Sequence, residues 1–588
     1  MHQTDKKPLE NNIKTKKEPS VFTLLQKYKG LIVWLVIMTV IANALSLSLP
    51  KIISRSIDAY ALGQFALMHI VIQFSIISLC IFIFTYLQNV IQVYASEQVA
   101  RDLRNEITAK ISVQAYAYIE KVTPAKLLTN LTSDVDAIKT FVSIAISSII
   151  SSLFLIFGTS ILLLTISWKL GLLVIAVVPI IGVAFFVVLR KVRKLFTQSQ
   201  EAIDWLNKII NESILGAALI RLLGSQESEY NKFLEANTEA KRISLQIVGL
   251  FASLVPIITF FTNIATLAIL LLGGHFVING TMSLGDFTAF NSYLAILIFP
   301  IMIIGFMSNL LAQAQASYGR ISLILEADEE KKTGNNETKL RGDIEVKNVS
   351  LNFGQKTVLK DISFSIPAGS KTAIIGPTAA GKTQLLYLLT GLLEPTSGSI
   401  EFDGHPSQEY DKKNLHSQIG FVFQDSVMFN LTLRENIAFS NKVNDENTRL
   451  AIATAELSNY IETLPHKLDT VVSERGTSLS GGQKQRIMLA RALTLDPTIL
   501  LLDDFTARVD TDTEQKILSN ISNNYPHVTL ISVTQKISSI EHYDQIILIV
   551  EGELLARGTH VELMHTCPEY VQIYQSQRST NEYEVITH

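Results

Sequence analysis

Eight consecutive residues, Gly376, Pro377, Thr378, Ala379, Ala380, Gly381, Lys382 and Thr383, have the types and spacing to cradle a phosphate chain. Glycines let a backbone wrap phosphates, and the amides opening the next helix meet their negative charge. Lys382 is placed to reach the β and γ phosphates, and Thr383 to offer its hydroxyl to Mg²⁺. A second run, 479–510, opens with Leu479, Ser480, Gly481, Gly482 and Gln483, continues as a basic helix and turns at Pro497. It ends in an apolar strand carrying two adjacent acids, Asp503 and Asp504. A buried strand delivering carboxylates to its C-terminal end is how α/β folds hold Mg²⁺ beside a nucleotide.

The elements around these residues suit them. KTAIIG reads as a strand and QLLYLLTGLL as a helix, so the glycine-rich loop has its required strand–loop–helix setting. IEVKNVSLNF and VLKDISFSI read as further strands, with a turn at 367–370, and IGFVFQ delivers Gln424 at a strand end. The C-terminal half is therefore expected to be an α/β domain.

The chain of 588 residues exceeds one core, so two or more domains are expected. Charged residues make up only 18% and mean hydropathy is +0.29. Soluble proteins carry about 25% charge, so part of this chain is expected in lipid. A net charge of −3 gives no support for nucleic-acid binding, and Cys80 and Cys567 cannot build a disulfide framework.

Six apolar stretches of spanning length lie near residues 31–52, 66–93, 141–167, 168–189, 247–277 and 287–311. Basic residues cluster before the first, after the second (Arg101, Arg104, Lys110) and after the fourth (Arg190, Lys191, Arg193, Lys194). The positive-inside rule puts these segments in the cytoplasm, and an even number of spans returns the C-terminal half there. The connections 94–140 and 190–246 carry helical periodicity. They read as membrane helices extended beyond the bilayer, with amphipathic surface segments as the alternative. Gln73, Gln88, Asn89, Asn263 and Asn291 stand out as amides within the spans, expected to bond neighbouring helices. The expected organisation is a cytoplasmic tail at 1–29, with its first twenty residues disordered, and a six-helix membrane domain at 30–325. A charged linker at 326–340, a nucleotide-binding domain at 341–580 and a short tail at 581–588 follow.

Together these residues resemble a half-transporter of the ATP-binding cassette (ABC) superfamily, exporter type (type IV). The implied fold is an all-α six-helix membrane domain fused to an α/β P-loop nucleotide-binding domain. NLTSDVDAI, LGDFTAFNSYL and DQIILIVEGELLARGTHVEL also resemble stretches of that family. The resemblance implies ATP and Mg²⁺ as ligands, with Phe353 stacking on adenine and 376–383 holding the phosphates. Thr383, Gln424 and Asp503 would attend the metal, and Asp504 and Gln535 would fill the catalytic positions. Residues 474–476 resemble the segment that contacts the membrane domain, and 479–483 would face ATP on an opposing cassette.

Departures from that family touch one ATP site. Asp504 stands where glutamate is usual, Gln535 where histidine is usual and Ala379 where glycine is usual, and 507–510 reads ARVD. These imply one half of a heterodimer, holding a slowly hydrolysing site of its own and lending an intact LSGGQ to its partner. Drift within a homodimeric exporter with a slow ATPase is the plainer alternative. The expected cargo is a hydrophobic or amphipathic drug or lipid exported across the cytoplasmic membrane. An inward-directed transporter of this fold (for example of a siderophore) and an ATP-binding regulator or channel are the competing readings.

Overall fold

The computed structural model describes residues 20–586 except 65, 330–333, 355, 441–442 and 474–475, with backbone only beyond 578. The expected disordered segment lies, but for Ser20, outside the described residues. Two compact units are present. The first holds the described residues up to Val113 together with Val122–Asp328; the second holds Gln114–Lys121 and the chain from Glu329 onward.

In the first unit six helices are long and apolar enough to cross a membrane: α1 (Val21–Ala61), α2 (Leu67–Ser112), α3 (Pro124–Ile166), α4 (Trp168–Leu215), α5 (Gln226–Ile278) and α6 (Leu284–Leu325). A crossing needs about 20 residues, and α4 and α5 run for 48 and 53. The connection 190–246 is thus helix as expected but for short turns, the longest at 223–225, while 94–140 is helix interrupted at 113–115 and at 123. The chain is thus a multi-pass membrane protein. α1 starts ten residues before its apolar run, and Tyr28 there is buried and donates to Asp102 at 2.9 Å. α1 packs on α2, α3 and α6, and α4 lies along α5.

Lipid supplies no hydrogen bonds, so polar groups in such a bundle must find one another. Asn43 accepts from Ser151 at 3.0 Å and Gln92 from Ser147 at 2.7 Å, tying α1 and α2 to α3. The amides singled out from sequence behave differently: Gln73 bonds His69 and Asn291 bonds the Phe287 carbonyl, each one turn back on its own helix. Asp134, in a π turn at Asn130–Asp134, is buried and accepts from Asn130 (2.7 Å), Ser317 (2.9 Å) and Arg320 Nε (3.0 Å). At the start of α6, Asp58 accepts from Ser283 and from the Gly285 N–H, both at 2.7 Å.

Among its described residues the second unit holds two sheets. β1 (Ile344–Phe353), β2 (Lys356–Ile366), β4 (Ser397–Phe402) and β5 (His405–Pro406) form an antiparallel sheet in the order β2-β1-β4-β5. The other runs β10-β9-β3-β8-β7-β6, from β3 (Lys371–Ile375), β6 (Ile419–Val422), β7 (Ile499–Asp503), β8 (Thr529–Val533), β9 (Gln545–Val550) and β10 (Glu553–Gly558). Its strands are parallel apart from β10, and β7 and β8 are buried along their whole length. Both faces are covered, which is why these strands read as unbroken apolar runs. In register, Ile374 lies opposite Val533 and Val533 opposite Asp503. The loops beginning at Gly376, Thr534 and Asp504 therefore leave one edge of the sheet together.

Four helices matter for the site: α7 (Lys382–Leu389), α8 (Gly481–Leu493), α9 (Thr511–Asn524) and α10 (Pro568–Ile586). α7 stops earlier than its apolar run suggests, because Gly391 turns at φ +72°. The Tyr116 ring sits edge-on to Tyr387 of α7, 5.6 Å between centroids, within this unit. From Asn336 the connecting segment also packs here: its N–H donates to the Glu409 carbonyl at 3.0 Å, and Leu340 is buried.

Asp134 generates a test. Asp134→Ala leaves Arg320, Ser317 and Asn130 without their shared acceptor and is expected to cost about 2–3 kcal/mol. Thermal unfolding of the detergent-solubilised protein should show a clear drop in midpoint. Lys232→Ala, at an exposed ion pair with Glu229, should leave the midpoint in place.

Candidate nucleotide site

The glycine-rich loop is shaped by its backbone. Gly376 has φ +149°, and a Cβ there would lie 2.0 Å from the Ile549 carbonyl oxygen, so no side chain fits. Ala379 also has positive φ, +66°, where an L side chain is strained. Pro377, Thr378 and Ala379 are exposed at the loop tip, while Ala380 is buried. Lys382 opens α7 and reaches back across the loop, donating to the Gly376 and Pro377 carbonyls at 2.8 Å each. Burial pulls its pKa below the usual lysine range, against the pull of Asp504 and Asp503.

Thr383, the next residue, donates to Asp503 Oδ1 at 3.3 Å. Asp503 is 1% exposed, and its Oδ2 has no hydrogen-bond partner. Burial pushes its pKa up to about 6, with Asp504 adding to the rise and Thr383 and Lys382 opposing it. A part-buried hydroxyl beside a buried carboxylate with a free oxygen is a hard-oxygen donor set that fits Mg²⁺, which takes few protein ligands beside phosphate.

Asp504 is half-buried and left-handed, at φ +49°, and its N–H donates to the Val533 carbonyl at 2.9 Å. Gln535, just past β8, is exposed. Its carbonyl accepts from Gln577 Nε2 of α10 at 2.5 Å, while Gln577 Oε1 accepts from the Ile537 N–H at 3.0 Å. Lys536 donates to the Thr506 carbonyl at 3.3 Å and lies 3.6 Å from the buried Glu514 carboxylate of α9. Gln424 is exposed beyond β6, its carbonyl accepting from Gln485 of α8 at 3.2 Å, and Phe353 is exposed at the end of β1.

Leu479–Gln483 form the N-terminus of α8. Ser480 accepts from the Gln483 N–H at 3.2 Å, and Gln483 Oε1 accepts from the Ser480 N–H at 2.8 Å, closing a capping box. Gly481 and Gly482 sit against Arg508; a Cβ on Gly482 would lie 2.7 Å from the Arg508 carbonyl oxygen. Further along, Arg491 donates to the Asn436 and Val427 carbonyls at 2.6 and 3.1 Å and lies over the rings of Phe429 and Phe439. Burial pulls its pKa down to about 10. Among the described residues no hydrogen bond or ion pair joins 479–483 to 376–383. Residues 474 and 475 lie outside the described residues, while Gly476 packs on Met428.

The structure thus brings Lys382, Thr383, Asp503 and Asp504 together. The Gln577 clamp, the Lys536–Glu514 pair and the Arg491 anchor were not singled out from sequence; only the Ser480–Gln483 spacing could have signalled its bond beforehand.

Membrane-spanning helices joined to a phosphate-binding α/β cassette define a nucleotide-dependent membrane transporter. Comparison gives the family. The profile for the ABC transporter transmembrane region matches residues 32–301, and that for the ABC transporter cassette matches 359–507. An uncharacterised ABC transporter ATP-binding protein of Bacillus subtilis (strain 168), YknU, is 32% identical over 94% of this chain and 95% of that protein. The ATP-dependent lipid A-core flippase of Syntrophus aciditrophicus (strain SB) is 29% identical over 91% of this chain and 90% of its own. A bacterial Atm1-family ABC exporter solved with ATP bound superposes with a TM-score of 0.76, at 23% identity, over 94% of this chain and 99% of that one. The chain belongs to the ABC transporter family, as an exporter-type (type IV) half-transporter. It is an ATP-dependent transporter built on the expected fold.

Two substitutions test the local geometry. Ala379→Gly removes the strain at φ +66° and is expected to stabilise the nucleotide-free protein by about 0.5–1 kcal/mol in a thermal melt. Ser480→Ala removes the cap of α8 and should cost about 1 kcal/mol, with Ser480→Asp restoring it.

Proposed function

We propose that this chain is one half of a heterodimeric exporter that moves hydrophobic or amphipathic compounds, drugs or lipids, across the cytoplasmic membrane. The basic connections and the nucleotide-binding unit face the cytoplasm in this reading. Residues 376–383 hold the phosphates of ATP, Phe353 stacks on adenine, and Thr383 and Asp503 hold Mg²⁺ with Gln424 beside it. When bound, that cation neutralises phosphate charge. Leu479–Gln483 complete the partner's site with the positive end of α8. Multidrug and lipid A transporters among the relatives, including a probable multidrug resistance protein of Bacillus subtilis 29% identical over 92% of this chain, support this cargo class.

The observation that carries the slow-site reading is the backbone at Asp504. A side chain one methylene shorter than glutamate withdraws the carboxylate by about 1 Å, and misplacement on that scale costs about 10²-fold in rate. The backbone N–H of Asp504 is itself tied to the Val533 carbonyl, which opposes a compensating shift. Gln535 can still hydrogen-bond a γ-phosphate, without an imidazole to titrate. The chain's own site therefore holds ATP, and turnover runs at the site it shares with its partner. ATP binding and loss shift the inward-open and outward-open populations by their differential affinity for each.

ATPase activity of the chain alone, and with a second half-transporter carrying Glu and His at the matching positions, tests this. The mixed complex should turn over and Asp504→Asn should change it little. Strong activity from the chain alone, lost on Asp504→Asn, would establish a competent homodimer. Dye accumulation in inverted vesicles supports export; depletion would indicate import, and no ATP-dependent flux a regulator or channel.

A further inference from the structure

The first unit contains a cavity of about 630 Å³ between α3, α4 and α6, with a second lobe of about 430 Å³ reaching α5. Its walls are hydrocarbon and aromatic, with Phe185 and Phe186 in the larger lobe and Phe196 and Phe251 in the smaller. The lobes share Arg193, and Arg190 joins it in lining the larger. Among the described residues neither guanidinium has an ion-pair or hydrogen-bond partner. Arginines at the end of a membrane-helix apolar run carry their charge to the interface. These two are exposed and line the cavity, so its mouth is cationic while its walls are apolar.

We propose that this cavity binds an anionic membrane lipid, its phosphate head group held by Arg190 and Arg193 and its hydrocarbon chains in the aromatic lobes. The inference rests on the export reading and adds the charge of the cargo. Arginine's planar fork pairs a phosphate bidentately, which a choline-capped lipid satisfies less well because its own cation competes. The fold supports the shape. A Cβ on Gly305 would lie 1.9 Å from the Phe185 ring, so α6 must have glycine there for the ring to form the wall. Gly182 has open space around its would-be Cβ, so a side chain can be added into the cavity without a backbone clash. Lys191 and Lys194, on the same turns of α4, line neither lobe. They therefore separate a site from the general requirement for positive charge at a membrane boundary.

The test measures binding of fluorescent-acyl phosphatidylglycerol and its phosphatidylcholine counterpart to the full chain with its partner in neutral nanodiscs. Wild type should prefer the anionic lipid by about tenfold or more. Arg190→Gln with Arg193→Gln should abolish that preference, Arg→Lys at both should keep part of it, and Lys191→Gln with Lys194→Gln should leave it intact. Gly182→Leu should weaken both lipids. Equal binding of the two lipids by wild type, or equal loss in the arginine and lysine double variants, overturns the proposal. The export reading is scored separately, by ATP-driven flux of a neutral dye in inverted vesicles. Flux without anionic preference leaves export standing and removes this site; preference without flux of either compound does the reverse.

Discussion

The nucleotide site depends on the parallel register of β3, β8 and β7. With Ile374, Val533 and Asp503 in line, three strands release their loops at one edge of the sheet. The phosphate loop, the loop bearing Gln535 and the two carboxylates thus come together without any of them being neighbours in sequence. Ligands of open α/β sheets bind outside the carboxyl ends of the strands for this reason. The contact that realises it is Thr383 to Asp503, a hydroxyl from one strand's loop meeting an acid from the strand two places away.

Around that edge the backbone is held in conformations that side chains resist. Ala379 and Asp504 both have positive φ, and such strain persists only where surrounding structure over-determines it. At Asp504 the constraint is the bond to Val533; beyond it, Lys536 and Gln577 tie the neighbouring loop to α9 and α10. These contacts oppose a shift of the backbone that would carry a shorter carboxylate forward. That links a single-residue departure in sequence to the slow turnover proposed for this half, while the capped α8 keeps the other half-site in good order.

The parts legible in sequence were those whose geometry is settled within a few residues. The phosphate loop, the Ser480–Gln483 cap and the apolar strands follow from local conformational rules, and the six spans follow from length and hydropathy. What stayed hidden lies between residues far apart in the chain. Gln577 reaches Gln535 across 42 positions and Arg491 reaches Asn436 across 55, and no local pattern encodes either. The clustering of Gln114–Lys121 with the nucleotide-binding unit was hidden likewise; the packing of Tyr116 on Tyr387 is a long-range contact that reveals it. The five amides singled out within the spans point the other way. Composition suggested cross-helix bonds, but Gln73 and Asn291 turn back on their own helices, while Asn43 and Gln92, bonded to serines of α3, make the ties.

The central claim is that this half holds ATP intact while its partner cleaves. Photo-crosslinking with azido-ATP during turnover reads it directly, with the label on the γ-phosphate in one arm and the α-phosphate in the other. The account predicts that this chain keeps the γ label through many turnovers, while the partner shows only the α label. Equal loss of the γ label from both chains would contradict it.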